Sequence, residues 1–224
     1  MHSQKIIART FGLFFLLAFF SYGFGTGLTA SLTGAADALT SVSANKNQLV
    51  IGVILMALVH TIVNIGLPVL MVPLLKPYGK VLSYGYLSAG ITATVILMVG
   101  AIFLILFIPL SSMYSTADPA DALHFETIGV LLTKGNHYAY QIGMAVWGVG
   151  GLMFCSLLYI SKLVPKALPI WGFLGYLVFI GGTIAELFGY PIGVQLAIPG
   201  GLFEISLSIW LLNKGFNATP ANPR

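Results

Sequence analysis

Charge is what this sequence most lacks. Only 7% of its 224 residues are Asp, Glu, Lys or Arg, against about a quarter in a soluble domain. Apolar side chains take their place: 58% of the chain is hydrophobic and the mean hydropathy is +0.95. Water could not wet such an exterior, so the exterior is expected to face lipid. Cysteine is nearly absent too. Cys155 alone excludes an intrachain disulfide, a cysteine-based zinc site and a cysteine-ligated cluster. Basic patches are also missing. The formal net charge is +4, but Lys and Arg stand singly between apolar runs, so nucleic acid is not an expected partner. No G-x-S-x-G, H-E-x-x-H, G-x-x-x-x-G-K-[ST] or post-strand G-x-G-x-x-G occurs, so familiar soluble enzyme chemistry is not encoded and no cofactor is specified.

What is present is a series of long apolar runs. A bilayer core of about 30 Å takes about 20 helical residues at about 1.5 Å each. Six runs qualify: 11–32, 48–75, 81–110, 136–160, 167–188 and 192–212. The expected fold is all-α, a polytopic transmembrane helical bundle forming one integral membrane domain over 1–224. The first run is too long for a signal-peptide core and lacks an A-x-A cleavage site, so it reads as a span. Short connections such as K-P-Y-G-K (76–80), K-L-V-P-K (162–166) and G-Y-P (189–191) imply antiparallel neighbours. Within the longer connection 112–135, Asp118-Pro119 resembles a capped helix start, and a short interfacial helix is expected over 120–132. Threading the spans with the N-terminus inside places Lys5, Arg9, Lys76, Lys80, Lys162, Lys166, Lys214 and Arg224 on the cytoplasmic side and only Lys46 and Lys134 outside. Both termini are therefore expected in the cytoplasm.

Ionisable groups inside hydrocarbon are costly, so His60, Glu186 and Glu204 are the first candidates for a site. Glu204 lies near the middle of the sixth run, just after Pro199-Gly200-Gly201, a triplet able to break or kink a helix and expose carbonyls. Gly200, Glu204 and Ser208 share a helix face, which points the carboxylate at a closely packed neighbour. Two roles stay open for it: a protonatable or cation-coordinating group, and a hydrogen-bonded structural residue. Glu186, nearer the external end of the fifth run, reads as a packing residue with access to water. His60 and Asn64 share a face of the second run, with Pro68 releasing the Asn64 carbonyl from its helix bond. A relay from His60 to Glu204 and simple interhelix bonding are both open, with bonding favoured. His124, His137 and Gln141 form an external polar cluster whose spacing matches no metal or haem motif, so no metal is expected. The glycines 143, 148, 150 and 151 suit close helix approach. Trp147, Trp171 and Trp210 read mostly as interfacial anchors near span ends.

The closing run E-I-S-L-S-I-W-L-L-N-K-G, from Glu204, resembles that of a bacterial membrane-protein family known as domain of unknown function 4386. A-R-T-F-G-L from Ala8, L-V-H-T-I-V-N from Leu58, H-Y-A-Y-Q-I-G from His137 and K-A-L-P-I-W-G-F-L-G from Lys166 look like its pattern in the same order. Relatives often carry an Arg and an acidic residue in the third span, where this chain has Tyr86, Ser88, Thr92 and Thr94. The resemblance implies a multi-span inner-membrane protein and brings no established reaction or ligand. Three functions remain: a non-enzymatic bundle that binds or moves a small solute, ion or lipid near His60, Asn64 and Glu204; an accessory or assembly subunit of a membrane complex; and an enzyme acting on lipid through His124 and His137. The bilayer is the one expected partner, with a second copy or a membrane-complex subunit left open, and the small-molecule ligand is unspecified.

Overall fold

The computed structural model describes residues 2–217, and these are helical almost throughout. Helix α1 (His2–Thr33) is followed by the short α2 (Ala38–Ala44). Next, α3 (Lys46–Ile54) runs through a π-helical stretch, Leu55–Val59, into α4 (His60–Leu75) and a 3₁₀ turn, Lys76–Tyr78. Then come α5 (Lys80–Ile105), α6 (Phe107–Tyr114), α7 (Ala122–Ser161), α8 (Ala167–Leu187) and α9 (Gly193–Asn213). Among the described residues there is no strand. Six helical runs are long and apolar enough to cross a membrane: Gln4–Thr33, Lys46–Tyr78, Lys80–Tyr114, Pro119–Ser161, Ala167–Leu187 and Gly193–Asn213. They suggest a multi-pass membrane protein. Outward side chains such as Leu174 and Leu177 on α8 and Ile198 and Leu202 on α9 are exposed and apolar, an exterior suited to lipid.

Local chemistry explains where these helices stop. After α7, Lys162 adopts φ 55°, and after α8 and α9 the glycines 189 and 215 adopt φ 88° and 74°. Such left-handed residues end helices, and glycine takes that conformation at no steric cost. Beyond α9, the Asn217 backbone N–H donates to the Leu163 carbonyl at 2.8 Å and its side chain to the Lys162 carbonyl at 3.0 Å, tying the residue two beyond Gly215 to the turn after α7.

Two details differ from the sequence reading. The stretch 120–132 is not a separate helix: Asp118 does accept a capping bond from the Ala120 N–H, at 2.9 Å, but the helix that follows runs on without a break to Ser161. Nothing between 122 and 136 stops it, since neither proline nor a left-handed residue intervenes. Nor does Pro199 break α9. Its missing N–H would have bonded the carbonyl of Gln195, in the first turn, so one lost bond near the helix start leaves the rest intact.

The chain packs as two compact units. One comprises Met1–Ala18, Ile62–Thr94 and Gln141–Arg224, the other Phe19–Thr61 and Val95–Tyr140. The core of the first is aromatic-rich, built on Phe11, Phe15, Tyr86, Trp147, Phe154, Tyr176 and Phe203. That of the second gathers Leu32, Leu39, Val42, Leu49, Phe107 and Leu110.

Candidate functional site

Within the first unit, glycines let three helices close around Glu204. A methyl group at Gly175 of α8 would lie 3.0 Å from the Gly200 Cα of α9, so the two backbones touch there. One at Gly172 would lie 2.5 Å from the Phe203 ring and 2.7 Å from the Cys155 sulfur, and one at Gly151 of α7 would lie 2.5 Å from the Tyr176 ring. Only residues without a side chain permit these approaches. Their result is a half-buried carboxyl group held against buried aromatic side chains. The Tyr176 hydroxyl donates to Glu204 Oε1 at 2.7 Å, and the Trp147 indole N–H donates to the same oxygen at 3.2 Å. The Ser208 hydroxyl donates to the Glu204 backbone carbonyl at 2.7 Å, so the small-polar face of α9 is satisfied internally.

The chemistry of the donors fixes the protonation options. Indole nitrogen can only donate, so Oε1 is an acceptor whichever charge state the carboxyl holds. Among the described residues no bond is made to Oε2, and no Lys or Arg lies within 4 Å of the carboxyl. Oε2 is therefore where a proton or a small cation would sit. Nearby, the Tyr86 ring stacks on Phe154 at 4.9 Å, with its hydroxyl fully buried and without a hydrogen-bond partner among the described residues. Tyr86 and Cys155 belong to the same buried core as Trp147 and Tyr176.

The other candidates fall elsewhere. Asn64 Nδ2 donates to the Thr94 hydroxyl at 2.8 Å, which donates in turn to the Gly90 carbonyl at 2.8 Å, so this amide joins α4 to α5. Interhelix bonds of this kind average about 0.6 kcal/mol in membranes, rising to about 1.7. Thr94→Val is accordingly expected to lower stability by about 1 kcal/mol while leaving ligand binding unchanged, as read by unfolding in mild detergent. Glu186 Oε1 accepts the Gly193 N–H at 2.8 Å, capping α9 from the end of α8 across the G-Y-P turn. His60 lies in the second unit, just after the π-helical stretch, with its ring 5.0 Å from that of Tyr22, itself stacked on Tyr140 at 5.6 Å. His124 Nδ1 lies 3.9 Å from Asp121 Oδ1 on an exposed turn. His137 packs its ring 5.4 Å from Tyr138, and Gln141 is buried. His124 and His137 are thirteen residues apart on one helix, about 20 Å along its axis, which is too far to act on one substrate atom. Among the described residues no three His, Cys, Asp or Glu side chains converge on a metal position.

A family model described as domain of unknown function (DUF4386) matches residues 10–215. The chain belongs to the DUF4386 family. No curated protein and no solved structure matches it. The matched stretch holds Glu204, Tyr176 and Trp147 and ends at the glycine that closes α9. In this DUF4386 chain the two donors to Glu204 are what the sequence reading missed. Trp147 was expected to anchor a span end, yet it is buried at 6% exposure inside α7. One signal pointed to it: a tryptophan set among four glycines inside a span needs a partner for its N–H. Tyr176 carried no comparable sign beyond its place one residue after Gly175.

Proposed function

We propose that this DUF4386 protein is a non-enzymatic, multi-pass inner-membrane protein, with both ends on the cytosolic side, that binds or moves a proton or small cation at Glu204. The observation that carries this reading is the asymmetry of the carboxyl group: Oε1 is held by Tyr176 and Trp147, while Oε2 has neither a hydrogen bond nor a basic residue beside it among the described residues. A charged group at mid-membrane costs about 3 kcal/mol, and two fixed donors offset part of that for the ionised state. The group can thus be ionised and neutral by turns, which a proton carrier requires, and in its ionised form it can pair with a small cation. The buried Tyr86 hydroxyl supplies a further polar atom in the core that holds Trp147 and Tyr176. The eight-to-two distribution of Lys and Arg supports the orientation.

Reconstituted vesicles provide the test. The protein is expected to show cation- or proton-dependent stabilisation or flux, and Glu204→Gln, which keeps the oxygen that Tyr176 and Trp147 donate to, should abolish it without loss of expression. Undiminished stabilisation and flux in Glu204→Gln would remove the site.

A further inference from the structure

We propose that a cavity in the second unit is a binding site for a zwitterion that joins a primary ammonium to a phosphate or carboxylate. The cavity holds about 300 Å³ and lies between the turn after α1 and the first half of α7, a volume at the lower end of small-ligand pockets. Thr33 and Tyr114, the last residues of the first and third membrane-crossing helical runs, both line it. It therefore sits at the level of the helix ends, where lipid headgroups and dissolved solutes both reach.

Its chemistry selects the ligand. Asp37 from the turn, and Glu126 and Lys134 from one face of α7, line the same space. The last two are eight residues apart, about 12 Å along the axis and beyond a direct ion pair. Among the described residues none of the three makes an ion pair within 4 Å. The Thr33 hydroxyl donates to the Thr29 carbonyl and that of Thr133 to the Gly129 carbonyl, each at 3.1 Å. A hydroxyl has one proton, so both threonines offer the cavity acceptors only. Two carboxylates and two accepting hydroxyls thus share the wall with one ammonium, which stands eight residues from Glu126 along α7, and the Thr40 and Tyr114 hydroxyls, able to donate or accept, complete it. A simple cation would leave Lys134 unmatched, and a simple anion would meet two carboxylates. A molecule with an N–H-bearing ammonium at one end and an anion at the other answers both.

The test uses the whole protein in phosphatidylcholine nanodiscs, whose quaternary headgroups have no N–H to donate. Calorimetric titration with phosphoethanolamine and glycine is compared with methylammonium and inorganic phosphate as half-molecules. Parallel nanodiscs containing phosphatidylethanolamine are examined for retained lipid by native mass spectrometry. A zwitterion is expected to bind where neither half does: capture of the soluble probes identifies a free solute, and selective retention of phosphatidylethanolamine identifies a headgroup. The pair Asp37→Asn with Glu126→Gln, and separately Lys134→Met, should each weaken that binding at least tenfold. Because all three side chains are exposed, the unliganded melting temperature should not change. Halves that bind as well as the zwitterion, variants that bind it unchanged, or no binding by any probe or lipid would overturn the proposal.

Discussion

Gly175→Val is expected to destabilise the protein by at least about 3 kcal/mol, the upper range for overpacking. The added side chain has nowhere to go: its Cβ meets the Gly200 Cα and N at 3.0 Å and the Pro199 carbonyl carbon at 3.2 Å, all of them backbone of a neighbouring helix. Rotamer changes cannot relieve a clash with backbone, so α8 and α9 must separate. Two comparisons isolate the cause. At Gly200 an added Cβ finds nothing nearer than the Gly175 carbonyl oxygen at 3.6 Å, ordinary contact, so Gly200→Ala should cost little. At exposed Gly181 it finds nothing within 4 Å, and Gly181→Val should stay within about 0.5 kcal/mol. Unfolding by graded denaturing detergent reads all three variants, and equal losses at Gly175 and Gly181 would show that helix propensity rather than close approach governs this region.

Glu204→Leu is expected to lose about 2 kcal/mol, because it strands two buried donors that each cost about 1–3 kcal/mol when unpaired, while the removal of a polar group from the membrane interior offsets part of the loss. Glu204→Gln, with its carbonyl in place of Oε1, should stay within about 1 kcal/mol of the parent. The coupling is measurable through a second substitution. Tyr176→Phe removes a hydroxyl that donates at 2.7 Å, so it should be costly in the parent and close to neutral beside Glu204→Leu. Additive losses in that cycle would mean that the Tyr176 hydroxyl does not hold the carboxyl.

How far these features were legible in the sequence depends on the range of the interaction. Span count follows from local composition, and the six apolar runs correspond to six helical runs. The face shared by Gly200, Glu204 and Ser208 follows from helix periodicity, and the structure buries Gly200 and Ser208 while holding Glu204 against α7 and α8. The donors themselves were out of reach. Trp147 and Tyr176 stand 57 and 28 residues from Glu204, and no spacing rule links positions on different helices. The π-helical stretch before His60 is equally silent, since Leu55–Val59 is an ordinary apolar pentad. Composition left open whether Pro199 breaks its helix, because that depends on the distance of the proline from the helix start, and the structure carries α9 through it without a break. The cavity with Asp37, Glu126 and Lys134 joins segments about ninety residues apart along the chain, and its charges taken singly look like a solvated surface.

The most direct measurement is the infrared carboxyl signal of Glu204 in lipid-reconstituted protein, assigned by its disappearance in Glu204→Gln and followed while pH and monovalent cations are varied. A carboxyl that holds and releases a proton at Oε2 must pass between its protonated and ionised bands, and one that binds a cation there must shift its ionised bands as the cation is varied, within the range in which the folded protein survives. A Glu204 signal that neither changes form with pH nor shifts with cations would contradict the account and leave Glu204 as a fixed hydrogen-bonded tie between α7, α8 and α9.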